Sequence, residues 1–189
     1  MKKHLKYLYV VSVISVAAIF SVSAIAQVSV TIACPDYKRG PTNIPGQKVG
    51  KKVSRALEDY NAELIDEALE ILYEIDTSNK FDRDFTERFI GNLLATQNGK
   101  AEKSIEYLKR AVAPNKLNDS EQVGTIKLIA DLSLQEEKYD SAIKSYQQWL
   151  DLTCKEDFDV YFRMANAYYQ TQRYAEIIAP INKAIALAD

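Results

Sequence analysis

Two stretches of this 189-residue chain nearly superimpose. Lys138-Tyr-Asp-Ser-Ala-Ile-Lys-Ser-Tyr-Gln-Gln-Trp-Leu-Asp-Leu152 and Arg173-Tyr-Ala-Glu-Ile-Ile-Ala-Pro-Ile-Asn-Lys-Ala-Ile-Ala-Leu187 begin 35 residues apart. A fixed period of this size is the mark of stacked helical pairs, in which no unit can bury its apolar face alone and neighbours must supply the cover. The fold expected is therefore all-α, an α-α superhelix of about four helix-turn-helix repeats. Composition agrees, with 47% apolar and 26% charged residues and only 6 Gly and 5 Pro to interrupt helices.

The first 26 residues stand apart from this pattern. Lys2, Lys3 and Lys6 give a basic start, and Leu8 to Val22 is apolar apart from serines. Ser23-Ala-Ile-Ala26 then supplies small residues in an A-x-A arrangement before Gln27. That order is that of a secretory signal peptide, residues 1–26. Two alternatives stay open. One is an uncleaved signal anchor, because the apolar run approaches bilayer-spanning length. The other is a lipoprotein signal, Thr31-Ile-Ala-Cys34, with Cys34 lipidated and Thr31 standing where such signals carry Leu. Loss of the signal leaves 21 basic against 26 acidic residues, a net charge of −5. A mildly acidic exported chain has no electrostatic footprint for nucleic acid.

Residues 27–47 read as an N-terminal linker, since Pro35, Gly40, Pro41, Pro45 and Gly46 exclude a helix. Cys34 lies in it and Cys154 in a late turn. In an oxidising compartment they could pair and close a loop of about 120 residues. Separation in sequence leaves that pairing open.

From Val49 onward the pattern is helical, and the repeats fall at about 48–79, 82–114, 119–153 and 157–189. The first pair is expected over 47–61 and 63–76: Val49, Val53, Ala56, Leu57 and Tyr60 share one helix face, and Leu64, Ile65, Ala68, Leu69, Leu72 and Ile75 another. The second is expected over 82–96 and 101–113, with Asn98-Gly99 as the turn and Pro114 as the stop. The third spans 119–135 and 139–152, with Asp119 or Ser120 as its N-cap. The fourth spans 157–171 and 174–188, and Pro180 is expected to kink or displace its second helix. Anchor positions Ala68, Ser104, Ala142 and Ile177 recur at spacings of 36, 38 and 35 residues.

Asn166-Ala-Tyr-Tyr-Gln-Thr-Gln-Arg-Tyr174 followed by Lys183-Ala-Ile-Ala-Leu187 resembles the tetratricopeptide repeat. Met164-Ala165, Tyr168 and Ala184 fill that motif's positions in the fourth repeat. Ile129-Ala130, Ala142 and Tyr146 do so in the third, where Ser133 replaces a tyrosine and Trp149 an alanine. Ile90-Gly91 and Ala111 match in the second, with Ser104 as anchor. The first keeps Ala56 and Ala68 but has Arg55 where Leu is expected. The likeness covers residues 49–189 and implies a superhelix that binds proteins or peptides. A narrower similarity rests on Val49-Gly-Lys-Lys-Val-Ser-Arg-Ala-Leu57, Asp66-Glu-Ala-Leu69, Phe89-Ile-Gly-Asn92 and Cys34-Pro35. It is to periplasmic repeat proteins encoded beside TonB/ExbB/ExbD systems in marine gammaproteobacteria. That resemblance implies a periplasmic accessory of energy transduction to outer-membrane iron transporters. Such relatives usually carry further repeats, so a shortened member or a fragment is expected.

Catalytic chemistry has little to stand on. The only histidine, His4, belongs to the signal. Without it neither a Ser-His triad, a Cys-His dyad nor a His-ligated zinc site can form. Glu136-Glu137 and Glu156-Asp157 read as solvated helix ends, and Gly91 and Gly99 are too isolated for a phosphate loop. No catalytic residue, metal ligand or cofactor is expected.

The family resemblance instead points to the concave side of the stack, built from the first helix of each pair. Its candidates are Tyr60 and Asn61; Arg88, Asn92 and Thr96; Lys127, Asp131 and Gln135; and Phe162, Asn166 and Tyr169. Arg88 and Asn92 lie on one helix face. Aligned amide and cationic donors of this kind can grip a peptide backbone or a terminal carboxylate. A merely solvated face is the competing reading, and Phe162 stands where a full clamp would carry Lys. Of the 12 tyrosines, Tyr60, Tyr139, Tyr146, Tyr168 and Tyr174 are expected in repeat packing. On the last helix Ile178, Ile181, Ile185 and Leu187 leave little polar surface. Further chain, self-association through that helix or a partner there is expected. The function expected is a non-catalytic interaction module with a protein or peptide partner, TonB-complex components among the candidates. The alternative is an envelope assembly or scaffold factor that binds through its termini or convex face.

Overall fold

A computed structural model describes residues 32–188. The expected signal peptide, residues 1–26, lies outside the described residues, as do residues 27–31 of the expected linker and Asp189. Within them the secondary structure is eight helices: α1 (Gln47–Asn61), α2 (Ile65–Tyr73), α3 (Lys80–Ala95), α4 (Ala101–Val112), α5 (Asp119–Gln135), α6 (Tyr139–Thr153), α7 (Phe158–Gln170) and α8 (Tyr174–Ala188). Each odd-numbered helix packs most extensively on the even-numbered helix that follows it, and successive pairs then stack through α2–α3, α4–α5 and α6–α7. The result is a tetratricopeptide-like superhelix of four antiparallel pairs.

The same backbone device closes every pair. Glu63, Gly99, Glu137 and Gln172 have φ of 64°, 73°, 55° and 59°. Each therefore makes the left-handed turn that ends one helix and allows the next to run back. Only Gly99 takes this conformation without steric penalty. Glu63 in that conformation delays α2, which runs Ile65–Tyr73 rather than over the expected 63–76. Side-chain caps start three of the first helices. Asn79 accepts from the Asp82 amide at 3.1 Å, and Asp157 from the Val160 amide at 3.1 Å. At α5 the N-cap is Asn118, not the expected Asp119 or Ser120, and Glu121 accepts from its amide at 3.2 Å. Asp119 is engaged elsewhere, as described below.

Side chains at the expected faces fill the core. Val49, Val53, Ala56, Leu69, Leu72, Ile90 and Leu94 join α1, α2 and α3. Ile105, Leu108, Ile129 and Leu132 form the seam between the second and third pairs. Ile126, Tyr146, Trp149, Val160 and Met164 join α5, α6 and α7. The anchors Ala68, Ser104 and Ala142 are fully enclosed, whereas Ile177 is only half-buried. Gly91 shows why a small residue is needed at the crossing, since a Cβ there would stand 2.5 Å from Leu108 Cδ2. The neighbouring Ser104 hydroxyl donates to the Gly91 carbonyl at 2.7 Å. Pro180 is accommodated inside a continuous α8 with its ring buried.

Residues 32–46 are not a loose linker. A disulfide joins Cys34 to Cys154, with Cα atoms 4.8 Å apart. The Ala33 amide donates to the Thr153 carbonyl at 2.7 Å beside it. From there the extended segment runs back across the starts of α5 and α3 before entering α1.

Candidate protein-interaction surface

The first helices of the pairs, α1, α3, α5 and α7, carry the candidate surface, and its two halves differ in character. Between α3 and α5, Arg88 donates to Glu121 at 2.9 Å, and the two side chains are only 13% and 18% exposed. Burial pushes the Arg88 pKa down, and the adjoining Glu121 carboxylate opposes that shift. Its Nε is enclosed without a hydrogen-bond partner. Arg88 therefore clamps α3 to α5, and its guanidinium is committed to the fold. Asn92 beside it is half-buried and Thr96 exposed.

Asp131 on α5 holds the next junction together. One of its oxygens accepts from the Tyr146 hydroxyl at 2.6 Å and from Arg163 at 3.3 Å; the other meets Lys127 at 3.4 Å. One carboxylate thus links α5, α6 and α7. Tyr146 is fully enclosed, and burial followed by its hydrogen bond to Asp131 raises its pKa. Arg88, Lys127 and Asp131, expected as a row of free polar groups, are thus all paired within the chain. The pairing partners Glu121 and Arg163 were not among the expected residues. Their i, i+33 and i, i+32 separations, roughly one repeat, are the sequence signal that could have pointed to them.

The α7 half is open. Phe162 is 52% and Tyr169 60% exposed, with Asn166 exposed between them. Phe158 lies one turn before Phe162, and their rings stack with centroids 5.9 Å apart. Tyr174, at the start of α8, meets Tyr169 edge-on at 6.0 Å. Tyr174 is exposed rather than enclosed in repeat packing as expected, because no helix follows on that side among the described residues. Tyr60 is half-buried, and Asn61 and Gln135 are exposed at the ends of α1 and α5. This aromatic row continues onto α8, where Ile178 and Ile185 are 62% and 60% exposed. Ile181 is half-buried there, and Leu187 is exposed.

A separate cleft of about 390 Å³ lies between α2, α3 and α4, lined in part by Tyr73, Glu87, Tyr107 and Arg110. The Arg110 guanidinium stacks 4.1 Å above the Tyr107 ring and pairs with Glu87 at 2.9 Å, so its polar groups are satisfied internally. Among the described residues no group of three metal-ligating side chains occurs, and no helix is long and apolar enough to cross a membrane.

No protein-family model matches the sequence, and no curated protein matches it. Solved structures do share the architecture. A crystal structure of MamA protein aligns with a TM-score of 0.59 at 16% identity, covering 73% of this chain and 72% of that one. A MamA D159K mutant aligns at 0.57 and 19% identity, covering 75% and 74%. Nearly identical TPR-like repeats from a Podosopora anserina protein described as a kinesin light chain align at 0.53 and 14% identity, covering 74% of both chains. At these identities the likeness concerns the fold, and it agrees with the tetratricopeptide-like architecture built above.

Proposed function

We propose that the protein is a non-catalytic interaction module that holds a protein or peptide partner on the α7 end of its concave face. The observation that carries this reading is the exposed row Phe158, Phe162, Tyr169 and Tyr174, flanked by Asn166. Tyr and Phe offer large apolar area at low conformational cost, and an exposed amide beside them supplies orientation. The charged half of the face serves the stack, because its cations are already paired.

The compartment proposed is the periplasm, reached by a cleaved signal. A disulfide suits an oxidising compartment, and in that state Cys34 has no thiol to lipidate. Within it, the proposed role is as an accessory of a TonB-type system for outer-membrane transport, which rests on the resemblance of Val49–Leu57, Asp66–Leu69, Phe89–Asn92 and Cys34-Pro35 alone. The test is crosslinking in iron-starved cells, comparing wild type with a Phe162→Ala, Tyr169→Ala double variant. Capture of TonB, ExbB or ExbD by the wild type and its loss in the variant is expected. Recovery of cell-wall factors only, or equal recovery by both proteins, counts against the reading and favours an envelope scaffold.

A further inference from the structure

The segment before α1 meets the starts of the first helices through main-chain donors spaced three residues apart. The Gly40 amide donates to Asp119 at 2.9 Å, the Asn43 amide to Asn118 Oδ1 at 2.7 Å, and the Gly46 amide to Asp82 at 2.9 Å. Asn118 also donates to the Asn43 carbonyl at 3.0 Å, so its side-chain amide grips both main-chain polar groups of Asn43. The Tyr37 hydroxyl adds a second donor to Asp119. A spacing of three is that of the polyproline II helix, in which residues i, i+3 and i+6 share a face. Gly46 has φ −55° and ψ 150°, and Pro41 and Pro45 fix φ at two more positions. The first two main-chain donors meet neighbouring residues at the start of α5 and the third meets the start of α3, so the segment crosses from one helix start to the other between Asn43 and Gly46.

Its glycines suit the close approach of the carboxylates. A Cβ at Gly40 would lie 3.2 Å from an Asp119 oxygen, and one at Gly46 would lie 3.0 Å from an Asp82 oxygen. Asp119, Asn118 and Asp82 thus form a track that reads an extended backbone bearing glycine where the carboxylates approach. The Cys34–Cys154 bond fastens the far end of the segment.

From this geometry we propose that the edge formed by Asp82, Asn118 and Asp119 is a second binding site, for an extended glycine- and proline-containing segment of a protein partner. Residues 33–46 occupy it in cis as a displaceable ligand locked by the disulfide. The site is distinct from the aromatic row on α7 and does not depend on it. Unlocking requires a dithiol reductant. Its thiolate attacks one sulfur of the Cys34–Cys154 bond, its second thiol resolves the mixed disulfide, and two electrons and two protons pass to the cysteines as the reductant becomes a disulfide. Release also reaches the concave face. Asn118 donates to Glu121 through both its amide and its Nδ2, and Glu121 holds Arg88.

The probe is a fluorescent peptide of the sequence Lys38-Arg-Gly-Pro-Thr-Asn-Ile-Pro-Gly46, titrated by anisotropy into the full chain. Binding at least tenfold tighter to dithiothreitol-reduced protein, or to the Cys34→Ser, Cys154→Ser variant, than to oxidised protein is expected. Adding Asp119→Ala to the double variant should abolish the gain. Hydrogen exchange in wild type supplies a readout independent of those variants. Protection at Gly40 and Asn43 should fall on reduction while that of α5 and α6 stays. Equal peptide affinity in oxidised and reduced protein overturns the proposal, as does unchanged protection of the segment. A reduced protein that dimerises by swapping residues 33–46 between copies, undisturbed by the peptide, overturns it in favour of exchange between copies.

Discussion

Helices α6 and α8 carry the same repeated block, yet they meet opposite fates. Ile143 and Leu150 of α6 are buried beneath α7, whereas Ile178 and Ile185, 35 residues later, are 62% and 60% exposed. Tyr139 is half-buried and its counterpart Tyr174 is exposed. In a stacked array burial belongs to the neighbour as much as to the residue, so identical patterns carry different energetics at different places in the row. The inner copy is core, and the outer copy is surface of core composition, which is where a partner gains most.

The largest effect should separate those twins directly. Ile143→Ala is expected to cost about 2–5 kcal/mol in urea unfolding, as a cavity-forming substitution does. Ile178→Ala should cost about 0.5 kcal/mol or less, as surface changes do. Equal losses would mean that α8 is covered in solution. Next comes the inner against the outer ion pair. Arg88→Ala strands the half-enclosed Glu121 and should cost about 1–3 kcal/mol. Arg163→Ala removes a pair whose members are 44% and 30% exposed and should cost under about 1 kcal/mol.

A smaller effect tests a group that only the inner copy has. Tyr146 donates to Asp131, while Ile181 stands at the matching place in α8. Tyr146→Phe should cost about 1 kcal/mol and also flatten the alkaline limb of the pH–stability curve. The folded pKa of Tyr146 is raised, so the native state holds that proton more tightly than the unfolded chain. Its stabilisation is complete below about pH 10 and is lost as pH rises beyond the unfolded value. Denaturant midpoints from pH 8 to 11 measure the difference. The smallest stability effect is expected from Phe162→Ala with Tyr169→Ala. The melting temperature should stay nearly unchanged while binding of an apolar dye falls.

Local patterning made most of the architecture legible. The bounds of α5 were readable at both ends, because its apolar face and polar flanks are local properties, and Asn98-Gly99 marked the turn between α3 and α4 by chemistry alone. Glu63, Glu137 and Gln172 were harder to assign, since left-handed backbone at a non-glycine residue is imposed by the packed pairs around it. The exposure of Phe162 and Tyr169 followed from the family resemblance, which implies that the first helix of each pair faces the concave side. The engagement of Arg88 by Glu121 is marked in the sequence only by their separation of about one repeat, because the pair forms once the two helix faces are brought together. The path of residues 32–46 was the least legible, since its long-range acceptors lie 36 to 120 residues away.

The disulfide also has a mechanical consequence. A stack of helical pairs pulled from its two ends unravels like a spring, one pair after another. With Cys34 bonded to Cys154, tension applied outside those residues passes through the sulfur bridge and bypasses the 120-residue span between them. Among the described residues beyond Cys154, 155–188 remain in the load path, a reach of about 115 Å when fully drawn out, against about 530 Å for residues 32–188 with the bridge open. The fourth pair is then the compliant element and the first three are a rigid block. A tethered chain of this design yields at its aromatic end and keeps its shape at the other.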